Sequence, residues 1–242
     1  MSGHSKWATT KHHKAIKDKK KSKILTKYAK LIMVAVREKG SDSETNPSLK
    51  ALVYKAKKEG VPNENIDRAI KAGAGTLKDA AEIKEVVYEC YGPEGVALYV
   101  EALTDNQNRT LGHLKTNLNK HGGSLGKSGS VSYLFQRKGV FLFPKSMKDQ
   151  VEEFSIMNGA DDIEETEEHV IVYTKFEDFD TLSRALDDAK IISETEELQF
   201  IPLMEKEVSN AEVFQKVQHL IELIEDDDDI QNVFTNASLN ES

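Results

Sequence analysis

From Ile24 onward the apolar positions first recur at helical spacing and later, past residue 80, switch between strand and helix spacing. Leu25, Tyr28, Ile32 and Val36 share one stripe, flanked by Ile24 and Leu31, which predicts an amphipathic helix. Gly40 follows Arg37 and Lys39 and marks its C-terminal stop. After the polar loop SDSETNP, Leu49, Leu52, Val53 and Ala56 predict a second helix ending near Gly60. Pro62 suits a first helical turn, and Ile66, Ala69 and Ile70 predict a third helix ended by Gly73–Gly75.

Beyond residue 80 the pattern is mixed. IKEVVYECY and VALYVEAL read as a hairpin about the GPEG turn at 92–95. Residues 106–120 predict a helix carrying Leu111, Leu114 and Leu118, followed by the turn-rich loop HGGSLGKSG (121–129) and a short strand, VSYLF. GVFLF reads as a strand, 146–157 as a helix, DDIEET with HVIVYT as a hairpin, 178–189 as a helix and KIISETEELQFIP as extended. That order, β-α-β-β-α-β, is the ferredoxin-like plan. A last helix at 208–224 leads through EDDDD to the strand-like IQNVFTN. The first β-β-α-β unit lacks a closing helix and strand, and this terminal pair supplies them if the middle unit is an insertion. The expected architecture is therefore α+β and multidomain. It has a basic arm and three-helix domain at 1–76, an α+β domain at 77–134 plus 206–242, and an inserted ferredoxin-like domain at 135–205.

Charge changes the picture more than composition does. The 242 residues carry 33 Lys+Arg and 41 Asp+Glu, a net −8. Residues 1–75 alone carry +11, and the remainder −19. Eight lysines lie between Lys6 and Lys23, opposed only by Asp18. The whole-chain pI near 5.5 hides this basic segment. Such asymmetry points to a polyanion grip beside acidic domains. Trp7, His12 and His13, interleaved with the lysines, are planar groups able to stack on unpaired bases. The expected contacts are Lys6, Trp7, Lys11, His12, His13, Lys14, Lys17, Lys19, Lys20, Lys21, Lys23, Lys27 and Arg109. Trp7 has a second reading, as an aromatic anchor packing the arm on the helical domain. The charges do not distinguish RNA from DNA.

Other candidates carry less. No run approaches the ~18 apolar residues of a membrane span, and the first residues lack the apolar core of a signal peptide. One cysteine, Cys90, excludes an intrachain disulfide framework and reads as a small buried thiol. His4, His12 and His13 lack carboxylate or thiol partners at ligand spacing, so no metal is expected. GGSLGKS resembles a phosphate loop but has His121 where the pattern needs glycine, and it precedes a strand rather than a helix. It reads as a turn with flexible glycines, with Lys127 a weak phosphate contact. In TDNQNRT (104–110) Asp105, Asn106 or Asn108 can cap the helix that begins there, and Arg109 can hold a phosphate or a carboxylate. Asp226–Asp229 lack the spacing of a calcium loop and read as a solvated turn. No catalytic constellation, cofactor motif or small-molecule site emerges.

At GHSKWATTKHHKAIKDKKKSKILTKYAKLI the chain resembles the YebC family, which includes the mitochondrial translational activator of cytochrome c oxidase subunit I. Further matching motifs are NPSLK (46–50), VPNENIDRAIKAGAG (61–75), YGPEGVAL (91–98), TDNQNRT, HGGSLGKSGSVSYLF (121–135) and DDDDIQNVFTN (226–236). Cys90 departs from the family's usual glycine, and His13 from its usual arginine. The resemblance begins at residue 2 and implies a bacterial-type cytoplasmic member with three domains, the third inserted in the second. It implies no catalysis and two functional labels. One is a ribosome- and rRNA-associated translation factor that aids synthesis through proline-rich stretches. The other is a DNA-binding transcriptional regulator, for which Asn63, Asn65 and Arg68 would read bases. A hydrolase using diffuse carboxylates is a distant third reading.

Overall fold

The structure, a computed structural model, describes residues 20–77 and 82–239. Helices α1 (Lys20–Lys39), α2 (Pro47–Lys58) and α3 (Asn63–Gly73) bury Ile32 and Val36, Leu49 and Ala56, and Ile66 and Ala69 against one another. Buried Asn46 ties the first two together. Its side chain caps α2 by accepting from the Leu49 amide at 3.0 Å, and donates to the carbonyls of Ala35 and Gly40, each at 2.8 Å. At Gly73 a side chain would lie 2.7 Å from the Met33 carbonyl oxygen, so α3 crosses α1 closer than any Cβ allows.

Next come β1 (Lys84–Tyr91), β2 (Ala97–Thr104), α4 (Gln107–Lys120) and the two-residue β3 (Ser124–Leu125). The inserted unit runs β4 (Phe135–Pro144), α5 (Lys148–Met157), β5 (Ala160–Glu165), β6 (His169–Lys175), α6 (Phe179–Ala189) and β7 (Thr195–Pro202). The chain closes with β8 (Lys206–Glu207), α7 (Ala211–Glu225), β9 (Ile230–Thr235) and β10 (Ala237–Ser238). The first sheet has the order β3-β1-β2-β9, so the last long strand returns to pair with β2. The second has the order β5-β6-β4-β7, antiparallel throughout, the ferredoxin-like arrangement. The fold is thus a three-helix domain followed by two α+β domains, the third inserted in the second.

Each sheet has its own core. Helices α4 and α7 bring Leu114, Leu118, Val217, Leu220 and Ile221 onto Cys90, Leu98 and Val100 of the first sheet. Helices α5 and α6 bring Val151, Leu182 and Leu186 onto Phe141, Phe143, Val170 and Val172 of the second. The two sheets meet through aromatic rings: Phe200 lies 4.4 Å from Tyr99 and 5.5 Å from Phe234, centroid to centroid.

One expected strand is absent. Residues 132–134 of VSYLF form a 3-10 turn, and the strand starts at Phe135 and runs unbroken to Pro144. The reason lies on β1. The Glu89 carboxylate accepts the amides of Gly129 and Val131 at 2.6 Å and of Ser132 at 2.8 Å, which removes them from any ladder. Burial works against this charge, but the three amides outweigh it and hold the Glu89 carboxyl below the usual range.

Candidate nucleic-acid interface

Of the expected contact residues, Lys6, Trp7, Lys11, His12, His13, Lys14, Lys17 and Lys19 lie outside the described residues. Lys20 and Lys21 open α1. The structure places the side chains of the remaining three.

Lys23 and Lys27 share one face of α1 with Lys30, and this face lies on the turn before β9 and on the start of that strand. Lys23 pairs with Asp226. Lys27 Nζ donates to the Gln231 carbonyl at 3.3 Å and to Asn232 Oδ1 at 3.4 Å. Lys30 Nζ donates to the Asp228 carbonyl at 2.8 Å and to Asp229 Oδ1 at 2.6 Å. Lys30 is not among the expected contacts, although its place in the series 23, 27, 30 marks it as sharing a helical face.

Asp229 is a buried node rather than part of a solvated turn. Its other oxygen accepts from Arg109 at 2.6 Å, Thr110 at 2.7 Å and Thr104 at 3.0 Å. Desolvation pushes this carboxyl upward, but Lys30, Arg109 and Thr110 together hold it well below the ordinary range. Asp226 and Asp228 remain exposed at the tip of the turn. Arg109, of the two roles open to it, holds carboxylates: Asp229 and, at 2.7 Å, Asp105. Those bonds, to Asp229 first and Asp105 second, raise its already high pKa. Asn106 caps α4 by accepting the Arg109 amide at 3.1 Å. Beside this cluster opens a cleft of about 560 Å³, lined by Arg109, His113 and the four aspartates. With the guanidinium already held by Asp229 and by Asp105 outside the cleft, it is a poor seat for phosphate.

The glycine loop is tied to β1 through Glu89, whose carboxylate accepts the Gly129 and Val131 amides. At Gly126 a Cβ would meet Ser130 Oγ and, at 2.9 Å, the Glu89 carbonyl oxygen, so glycine is needed for close approach. Lys127 and Ser128 stand exposed on this pinned loop. Cys90 is buried in β1, where desolvation and then the Glu89 charge push its thiol up to about 12, leaving it protonated and inert. No helix among the described residues is long and apolar enough to cross a membrane.

Fold and charge define a three-domain protein whose basic helical unit is keyed by lysines onto an acidic turn of the next domain. The chain belongs to the TACO1/YebC family: the signature of the family's N-terminal domain matches residues 5–76, and that of its second and third domains matches 83–237. It is 44% identical over 245 residues to a protein of Paenarthrobacter aurescens, covering 100% of this chain and 96% of that one. A protein of Thermotoga petrophila is also 44% identical, over 244 residues, with 100% and 95% covered. Both bear the name "Probable transcriptional regulatory protein". The crystal structure of a conserved hypothetical protein from Aquifex aeolicus superposes with a TM-score of 0.88 at 39% identity, covering 98% of each chain.

Proposed function

We propose that this protein is a non-enzymatic, nucleic-acid-binding regulator of gene expression acting on the ribosome, where it aids synthesis through proline-rich stretches. The observation that carries the reading is the charge partition, +11 over residues 1–75 against −19 over the rest. The lysines of residues 6–21 and the planar Trp7, His12 and His13 grip rRNA phosphates and unpaired bases. The acidic domains are repelled by bulk RNA and so bias the orientation of the bound molecule. Fastening of α1 to the turn before β9 supports this, because it gives the preceding basic segment a fixed origin. Proline is a hindered acceptor with a fixed φ. A factor that orients the reacting ends accelerates bond formation without contributing a reactive side chain.

The relatives' names favour a second reading, a DNA-binding transcriptional regulator. Asn63, Asn65 and Arg68, exposed on α3, are the residues it would use. Titrating the fluorescence of Trp7, the single tryptophan, separates the two. Ribosomes and single-stranded RNA are expected to change it strongly and in a salt-dependent way, and duplex DNA weakly. A stronger response to duplex DNA, or a selected oligonucleotide consensus, would favour transcription. Ribosome profiling of a deletion strain should show added pausing at proline runs; its absence would remove the translational reading.

A further inference from the structure

Helix α2 buries Leu49 and Ala56 and half-buries Leu52 and Val53. Its opposite face carries Lys50, Tyr54, Lys57 and Lys58, all exposed. Positions 50, 54 and 58 are one turn apart, and Lys57 adjoins them. Tyr54 is 69% exposed and has no hydrogen bond or ring contact among the described residues. Lys57 and Lys58 have no ion-pair partner among them either. Lys50 is 3.4 Å from Glu44, but both side chains are largely solvated, so the pair is weak. The helix, PSLKALVYKAKK, contains no carboxylate. Its remaining lysine, Lys55, turns toward the third domain, donating to the Glu196 carbonyl at 3.0 Å. Glu59, just past the helix, acts elsewhere: burial and then Glu59 push the Tyr28 phenol on α1 up to about 12.

A tyrosine exposed to this extent contributes little to packing and forms helix less well than alanine or lysine. Flanked by three outward amines, it is instead a stacking platform between phosphate contacts. We propose that the outer face of α2 is a second nucleic-acid site, taking two or three nucleotides of a single strand, with a base on Tyr54 and phosphates at Lys50, Lys57 and Lys58. The ridge spans about 12 Å of helix axis, enough for such a segment. Stacking requires an unpaired base, which disfavours a duplex. The face holds no Asn, Gln or Arg, and its lysines are assigned to phosphates, so little sequence preference is expected. This inference rests on the proposed function, which supplies the polyanion, but it uses residues separate from the arm.

The test measures affinity and salt dependence of the full chain for a labelled uridine oligomer, with a thymidine oligomer and a duplex alongside. Tyr54→Ala should weaken the single strands about fivefold or more, while Tyr54→Phe stays within about twofold of the parent. Lys57→Gln with Lys58→Gln should lower the salt slope by about 1.4. Circular dichroism confirms that each variant keeps its helices. A parallel variant neutralises the arm at Lys11, Lys14, Lys17 and Lys19. If the α2 variants bind single strands as the parent does while the arm variant loses affinity, the second site is overturned and the arm reading survives. If the α2 variants lose affinity and the arm variant does not, the second site stands and the arm reading fails. An effect of Tyr54→Ala confined to the duplex would also overturn it.

Discussion

On β5, the Glu164 carboxylate accepts the Tyr173 hydroxyl at 3.1 Å. Burial raises its pKa from 4.5 to about 7; the Tyr173 bond opposes the rise, and Asp162 and Glu205 add to it. Between those two values the unfolded chain ionises at this position and the folded chain does not. The stability contributed by Glu164 is therefore complete below about pH 4.5 and declines as pH rises through about 7. Glu164→Gln, which cannot titrate, should be more stable than the parent at pH 8 by roughly 1–2 kcal/mol, allowing for partial exposure. The difference should vanish near pH 4.5. Urea denaturation at both pH values checks this, and an equal gap at both would refute it. Asp229 has the opposite sign. Its pKa is depressed below 3.8, so its contribution is complete above that value and is lost only as pH falls further.

At the scale of elements, the approach of α3 to α1 depends on one absent side chain. Gly73→Ala would place a Cβ 2.7 Å from the Met33 carbonyl oxygen and 2.9 Å from its Cα. Backbone cannot rotate away, so the helices must part, at a cost of about 1–3 kcal/mol. The expected result is a lower thermal midpoint, with hydrogen exchange accelerated first in α1 and α3; unchanged protection there would show that the crossing tolerates a methyl group. The apolar periodicity places α4 and α7 within a few residues of their positions, at 106–120 and 208–224 against 107–120 and 211–225. Helical stripes are local and survive reading in one dimension. The turn at 132–134 does not, because VSYLF has strand composition and only Glu89, some 40 residues earlier, withdraws its amides.

Across the whole molecule, the seam between the helical domain and the first sheet is polar. Lys30 and Asp229 form its most buried pair, with side chains 13% and 5% exposed. Lys30→Met keeps the stem and removes the charge, while Asp229 retains Arg109. Loss of about 1–2 kcal/mol is expected, with an increased radius of gyration by small-angle scattering as α1 lifts from the turn. Lys39→Met, at an exposed position, should change neither, and an unchanged Lys30→Met would show that the seam is held by other contacts. The amino-acid sequence alone determined the amphipathic stripes, the order of elements and the crowding of positive charge into the first third of the chain, since each is a property of neighbouring residues. Only the tertiary structure decided which lysines face outward. Lys23 and Asp226 are separated by 203 residues, and Lys30 and Asp229 by 199. Ion pairing depends on distance in space, so in the linear sequence a lysine held by such a partner looks the same as one left facing solvent on α2.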